Sequence, residues 1–199
     1  ISLKQGFTVF IDLAYQGLGD GLEEDVYGAR LLAESLPELI VVTSCSKNFG
    51  LYRERTGAMT LIADSDATTA IATTQIAAAA RAMYSMPPDH GAAVVQLILN
   101  DAALRSEWDA ELTTMRNRIN GFSAQLVKQF KAANMDEDFS FIEREKGMFS
   151  FLGVNVDQVQ SLVNDYSIYL VNSSRINVAG VNDDNIDYLA SSLAAVLTA

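Results

Sequence analysis

One cysteine and one histidine are all this sequence offers a disulfide or a soft metal ion. A lone cysteine has no internal partner, and the two residues together fall short of the nitrogen and sulfur ligands that a structural zinc site needs. The expectation is a reduced, cytoplasmic chain with no structural metal. Long apolar runs are missing as well: none approaches the roughly 20 residues that cross a bilayer, and Ile1-Ser2-Leu3-Lys4-Gln5-Gly6 is no signal peptide. No membrane partner is expected. Basic residues are scarce, 14 Lys and Arg against 25 Asp and Glu, and the net charge of −11 repels a polyanion. Nucleic acid is excluded on that ground. Only 3 prolines interrupt a chain that is 49% hydrophobic, which argues for packed structure over disorder. Its 199 residues suffice for one sizeable domain and part of another. The first residue is not methionine, so the sequence is open to being a piece of something longer.

Phe7-Thr8-Val9-Phe10-Ile11 is a short β-branched and aromatic run that reads as a buried strand, with Asp12 at its carboxyl end. A glycine-rich turn at 17–21 and the acidic Glu23-Glu24-Asp25 introduce a helix whose apolar residues Val26, Ala29, Leu32, Ala33 and Leu36 recur at helical spacing. Leu39-Ile40-Val41-Val42-Thr43 follows as a second apolar run. Strand, helix, strand implies two parallel strands, adjacent or separated by one other, in a sheet covered by helices. Such sheets bind ligands beyond the carboxyl ends of their strands, where Asp12 and Ser44-Cys45-Ser46-Lys47 both fall. Farther along, a strand is expected at 58–63 and an alanine-rich helix from Asp66 to about Met83, ended by Pro87-Pro88. After a shorter helix comes a long one whose Leu104, Trp108, Leu112, Met115, Ile119, Phe122, Leu126 and Phe130 form a core-facing stripe. From Phe139 the pattern changes to short strands at 148–151, 168–170 and 175–178, alternating with helices near 155–166 and 183–197. This second region reads as α+β.

Lys47 stands directly after a buried strand and two small hydroxyl residues, Ser44 and Ser46. It is either an ordinary loop lysine or an amine whose desolvation lowers its pKa and makes it a nucleophile able to form a Schiff base. Asp12 is either a turn-forming side chain or a carboxylate that ends an apolar strand and needs a cation nearby. Tyr15 is core packing or a hydrogen-bonding phenol. Arg55 and Arg175 lie beside strands, where a planar guanidinium grips phosphate or carboxylate at two points, or else closes a structural ion pair. Arg81, near a helix end, is accounted for by the helix dipole. His90 belongs to the turn after Pro88 and is assigned no catalytic role.

Together, Ser44-Cys45-Ser46-Lys47-Asn48-Phe49-Gly50-Leu51-Tyr52-Arg53-Glu54-Arg55-Thr56-Gly57 resembles the cofactor-lysine segment of the aspartate and aromatic amino-acid aminotransferases. Asp12-Leu13-Ala14-Tyr15-Gln16-Gly17 upstream, and Gly147-Met148-Phe149-Ser150-Phe151 and Ser174-Arg175-Ile176-Asn177-Val178-Ala179-Gly180 downstream, are similar to further motifs of that family in the same order. The resemblance runs over essentially the whole chain and corresponds to the C-terminal half of a family member. It implies an α/β fold of type I. Residues 1–100 would be the C-terminal part of a large domain, a mainly parallel sheet with helices on both faces. Residues 101–199 would be a small α+β domain beginning with the long helix.

The same resemblance implies pyridoxal 5'-phosphate as cofactor, with Lys47 joined to its aldehyde and acting as the general base and acid of the half-reaction. Asp12 would pair with the pyridine nitrogen and Tyr15 with the ring's 3′ oxygen. Ser44, Ser46 and Arg55 would bind the phosphate. Arg175 and Phe149 would meet the substrate, Arg175 through its α-carboxylate. Arg81 matches an arginine that reaches a neighbouring subunit's substrate, so a homodimer with shared active sites is implied, with amino acids and 2-oxo acids as substrates. Met86 departs from the small polar residue usual before Pro87-Pro88, which removes a hydrogen bond near Arg81. The expected activity is transfer of an amino group from aspartate or an aromatic amino acid to 2-oxoglutarate. Two alternatives stand beside it: a catalytically incomplete fragment or binding module that keeps the residues without the pocket, and a decarboxylase or lyase using the same cofactor. Arg175 argues against loss of the α-carboxylate, because it would hold the group that must leave.

Overall fold

The computed structural model describes residues 2–133, 135 and 137–198. After a short helix, α1 (Ser2–Gln5), the chain enters β1 (Val9–Leu13), crosses through α2 (Tyr27–Ser35) and returns in β2 (Leu39–Ser44). The two strands are immediate neighbours and parallel, Val9 opposite Leu39 and Leu13 opposite Thr43, so their carboxyl ends lie on one edge. That is the arrangement the strand–helix–strand order predicts, with the open choice between adjacent and separated strands resolved as adjacent. β3 (Gly57–Ile62) then runs antiparallel to β2, Ser44 opposite Gly57, which gives the order β1-β2-β3. Of the two pairings among these strands one is parallel and one antiparallel.

Two expectations about this sheet need correcting. β1 starts two residues later than read and continues through Asp12 to Leu13. It is also not buried: Phe7 and Phe10 are more than half exposed. Partners in register point to the same side, so Phe10, Asp12, Ile40, Val42 and Met59 share one face. Phe10 and Met59 lie open on that face, while Leu39 on the other is fully buried. Nor do the helices complete the cover, since neither α2 nor α3 (Asp66–Tyr84) has a buried residue. The apolar runs form strands as expected, but one face of the sheet they build lies open among the described residues.

α3 begins at Ser65, whose hydroxyl accepts from the Thr68 N–H at 3.2 Å, and ends at Ser85 in a positive-φ conformation (φ 63°) two residues before Pro87. α4 (His90–Asn100) and α5 (Ala102–Ala132) follow. The chain divides into two compact units, Ile1–Gly17 with Gly21–Leu112, and Leu18–Asp20 with Thr113–Ala199. This division into compact units falls inside α5. Of the stripe on α5, Leu112, Ile119, Phe122, Leu126 and Phe130 are buried; Leu104 and Met115 remain partly exposed.

The second unit has the better-filled core. Leu126, Phe130, Ile142, Val159, Leu162, Val178 and Leu193 are almost wholly removed from water, and the Phe130 and Phe139 rings meet edge-on at 4.8 Å. Its sheet is the antiparallel pair β4 (Phe149–Phe151) and β5 (Arg175–Asn177), with Phe151 opposite Arg175. A short helix, α6 (Phe141–Arg144), precedes β4. α7 (Val156–Tyr166) opens on a reciprocal cap in which Asn155 accepts from the Gln158 N–H and Gln158 accepts from the Asn155 N–H, both at 2.9 Å. It packs on α8 (Ile186–Leu197). The strand expected at 168–170 does not form. Ile168-Tyr169-Leu170 is an extended connection outside the β4–β5 pair, with Tyr169 81% exposed, because an apolar triplet alone does not supply a neighbour to pair with.

Candidate active site

Beyond the ends of β1 and β2 the backbone folds into two loops that carry the first unit's candidate residues. Past β2, the Cys45 N–H donates to Thr56 O at 3.0 Å and the Leu51 N–H donates to Cys45 O at 3.3 Å, which ties the loop to the approach to β3. Within it the Gly50 N–H donates back to Lys47 O at 3.2 Å, and Gly50 takes φ +67°, a conformation glycine adopts without strain. Lys47 thus opens a tight turn. Its Nζ lies 4.6 Å from the centroid of the Tyr15 ring, which follows β1 by two residues. Both side chains are half-buried. An ammonium over an aromatic face at this range is worth about 0.5–2 kcal/mol, the upper end when water is excluded.

The hydroxyls are close by. Ser44 Oγ donates to Ser46 Oγ at 2.9 Å and accepts from the Ser46 N–H at 3.1 Å, and Ser46 is buried. Arg55 stands just before β3, on the edge where β2 ends, in a left-handed backbone conformation (φ 54°) that costs a non-glycine residue about 1 kcal/mol or more. Its guanidinium is exposed and donates to Tyr52 O at 2.8 Å. Burial pushes the Cys45 thiol above its ordinary pKa, so the residue between the two serines is held neutral.

Asp12 is a correction. Of the two sequence readings of Asp12, the one that ends a buried strand with a carboxylate needs a cation beside it, yet Asp12 is exposed and forms no ion pair among the described residues. The reason is the open face described above, on which Asp12 follows Phe10. Its position at the carboxyl end of β1, one strand from Lys47, is as expected.

In the second unit, Arg175 is exposed at the start of β5, with its guanidinium carbon 4.7 Å from the centroid of the Phe149 ring on β4. Ser174, before it, is buried in a left-handed conformation (φ 63°), and its hydroxyl accepts from the Gly153 N–H at 3.1 Å. Beyond β5, Arg118 of α5 donates to Ala179 O and Val181 O at 3.1 and 3.0 Å, so both ends of the strand are pinned. Arg175 and Phe149 line a groove of about 730 Å³ with Tyr169, Val171, Asn185 and Tyr188. Arg81 lies in the last turn of α3, exposed and without an ion pair among the described residues. No cluster of His, Cys, Asp and Glu suited to a metal ion occurs among the described residues.

Two residues in the first unit escaped the sequence reading. Asn48 is buried, donates through Nδ2 to Gln16 O at 3.3 Å, and accepts at its backbone carbonyl from Trp108 Nε1 at 2.7 Å. The Trp108 indole also stacks on Phe49 at 4.4 Å. Trp108 was counted only as part of the apolar stripe. The available signal was its N–H, which a half-buried indole must place on an acceptor.

Comparison with known proteins places these motifs in a family. The family model for aminotransferase class I and II matches residues 1–193. An aspartate aminotransferase of Haemophilus influenzae is 48% identical over 197 residues, 99% of this chain and 50% of that protein. An aromatic-amino-acid aminotransferase of Paracoccus denitrificans is 43% identical over 193 residues, 97% of this chain and 49% of that one. Among solved structures, an aromatic-amino-acid aminotransferase from Burkholderia pseudomallei covalently bound to pyridoxal phosphate superposes with a TM-score of 0.94 at 41% identity, covering 98% of this chain and 49% of the other. The chain spans about half the length of the curated relatives it matches.

Proposed function

This chain belongs to the class I and II aminotransferases, and from that membership we propose that it is part of an enzyme using pyridoxal 5'-phosphate to move an amino group from aspartate or an aromatic amino acid to 2-oxoglutarate. The observation that carries the reading is Lys47 Nζ over the Tyr15 ring, on the edge where two parallel strands end. The donor set there fits the group. It holds a half-buried primary amine for an aldehyde, a phenol for the ring oxygen, two hydroxyls and a guanidinium for a phosphate ester, and a carboxylate for a pyridine nitrogen. When bound, pyridoxal 5'-phosphate supplies the electron sink that the reaction needs.

In this proposal Lys47 holds the aldehyde carbon and then shuttles a proton at Nζ as general base and acid. Asp12 keeps the pyridine nitrogen protonated and Tyr15 binds the 3′ oxygen. Ser44, Ser46 and Arg55 hold the phosphate. Arg175 grips the substrate α-carboxylate at two points, its guanidinium oriented by the Phe149 ring. Arg81, exposed at the end of α3, serves the active site of a second copy, so the proposal includes a homodimer. Residues 1–100 belong to the large domain and 101–199 to the small one. No described helix is long and apolar enough to cross a membrane, and the lone cysteine supports a cytoplasmic location. The complete protein should show a visible absorption band with the cofactor that Lys47→Ala abolishes; an unchanged spectrum overturns the assignment.

A second reading concerns the 199 residues taken alone. Phe10, Met59 and Ile71 are open to water, and the relatives are about twice as long. Both facts favour a chain that is catalytically incomplete without the remaining family length. Titration of the 199-residue chain with cofactor should give weak binding, and saturation as tight as that of the complete protein contradicts this reading.

A further inference from the structure

We infer that Asn48 and Trp108 are positioning residues that lock the loop carrying Lys47 against the loop carrying Tyr15. The inference rests on the assignment of Lys47 proposed above. Lys47 and Tyr15 stand on separate loops beyond separate strands, and the parallel ladder between those strands ends at Leu13 and Thr43, before either loop begins. Something beyond the ladder must hold them in register.

Asn48 does so from the residue next to Lys47. Its Nδ2 donates to the carbonyl of Gln16, the residue next to Tyr15, so one side chain spans the two loops. Its own backbone is fixed from a third element, α5, through the Trp108 indole N–H at 2.7 Å and the stack of that indole on Phe49. The sequence Lys47-Asn48-Phe49 is therefore held at its second and third residues, which leaves Lys47 at a determined distance from the Tyr15 ring.

The hydrogen-bond economy of Asn48 supports a positioning role. Its Oδ1 is buried with no hydrogen-bond partner among the described residues, and its side-chain bond, Nδ2 to Gln16 O, is the one that spans the two loops. Removing the amide deletes that single bond. Asn48→Ala should therefore change stability little while releasing the loop.

The test uses the complete protein with pyridoxal 5'-phosphate and the variants Trp108→Phe, which keeps the stack and removes the donor, and Asn48→Ala. Three quantities are read: the cofactor dissociation constant, the pH midpoint of the visible band, and the thermal unfolding midpoint without cofactor. Each variant should weaken cofactor binding by about three- to tenfold, the worth of one hydrogen bond, and displace the pH midpoint, with cooperative unfolding retained. A role in stability alone would lower the unfolding midpoint and leave the pH midpoint where it was. Folded variants with an unmoved pH midpoint and unchanged affinity overturn the inference while leaving the Lys47 assignment intact. A wild-type protein with no Lys47-dependent band overturns both. Should Trp108→Phe fail to fold, the Asn48→Ala comparison decides alone.

Discussion

Gly91, the second residue of α4, is the position where two ordinary arguments give opposite signs. Helix propensity says that Gly91→Ala should stabilise, by up to about 1 kcal/mol and less near a helix start. The packing says otherwise. A methyl group there would meet Thr56 Oγ1 well inside contact distance and Glu54 Cβ at 2.6 Å. The Thr56 hydroxyl can turn aside, but Glu54 Cβ is one bond from the backbone and can yield only if the 54–56 segment moves. Overpacking of this kind costs about 1–3 kcal/mol, which outweighs the smaller propensity gain, so the net change should be a loss of up to about 3 kcal/mol. The segment that must move carries Arg55 in its left-handed conformation, and Glu54 accepts from or pairs with His90 Nδ1 at 3.1 Å across the same contact. Phosphate binding should suffer with it. Urea unfolding of the complete protein, with and without pyridoxal 5'-phosphate, reads both effects. The expected result is a lower midpoint without cofactor and a larger deficit with it. A variant more stable than wild type, with unaltered cofactor affinity, would show that α4 does not press on the Arg55 loop.

Other expectations are simpler. Asn155→Ala removes the reciprocal cap of α7 and should cost about 0.5–2 kcal/mol by denaturant unfolding, with Asn155→Ser recovering most of it; no difference among the three proteins refutes the cap's contribution. Phe130→Ala empties a fully buried site beside Phe139 and should cost about 3–5 kcal/mol, against which a loss under about 1 kcal/mol would indicate that the second unit's core is not packed as described. Cys45 should react with iodoacetamide along a pH profile displaced above that of a free thiol, because burial favours the neutral form; a profile at or below the free thiol contradicts its placement. The linked stability has a definite sign. The folded thiol keeps its proton to higher pH than the unfolded one, so the contribution is intact below the usual thiol pKa and falls as pH rises above it.

Much of the candidate site was legible because its residues are ordered by chain connectivity. A strand, a crossover helix and a strand oblige two carboxyl ends to meet, and that alone brings the Asp12–Tyr15 segment to the edge that carries Ser44–Lys47. The start of α3 at Asp66 and the Pro87-Pro88 interruption were likewise local signals with local outcomes. Burial was less legible. Phe10 and Met59 have core composition, but composition does not specify what would pack on them, and both lie open to water. The 168–170 triplet failed because strand formation needs a partner, and a three-residue apolar run does not specify one. The Asn48–Trp108 contact joins residues 60 apart and left only the indole N–H as a hint. The antiparallel return of β3 was not legible, because the length of the 45–56 loop permits either direction.

The most direct test of the central claim is chemical. The complete protein, loaded with pyridoxal 5'-phosphate and treated with borohydride, should carry the reduced cofactor on the peptide containing Lys47, at one label per chain, when digested and mapped by mass spectrometry. A label on another lysine, or an unlabelled Lys47 peptide in protein that has bound the cofactor, would contradict the account.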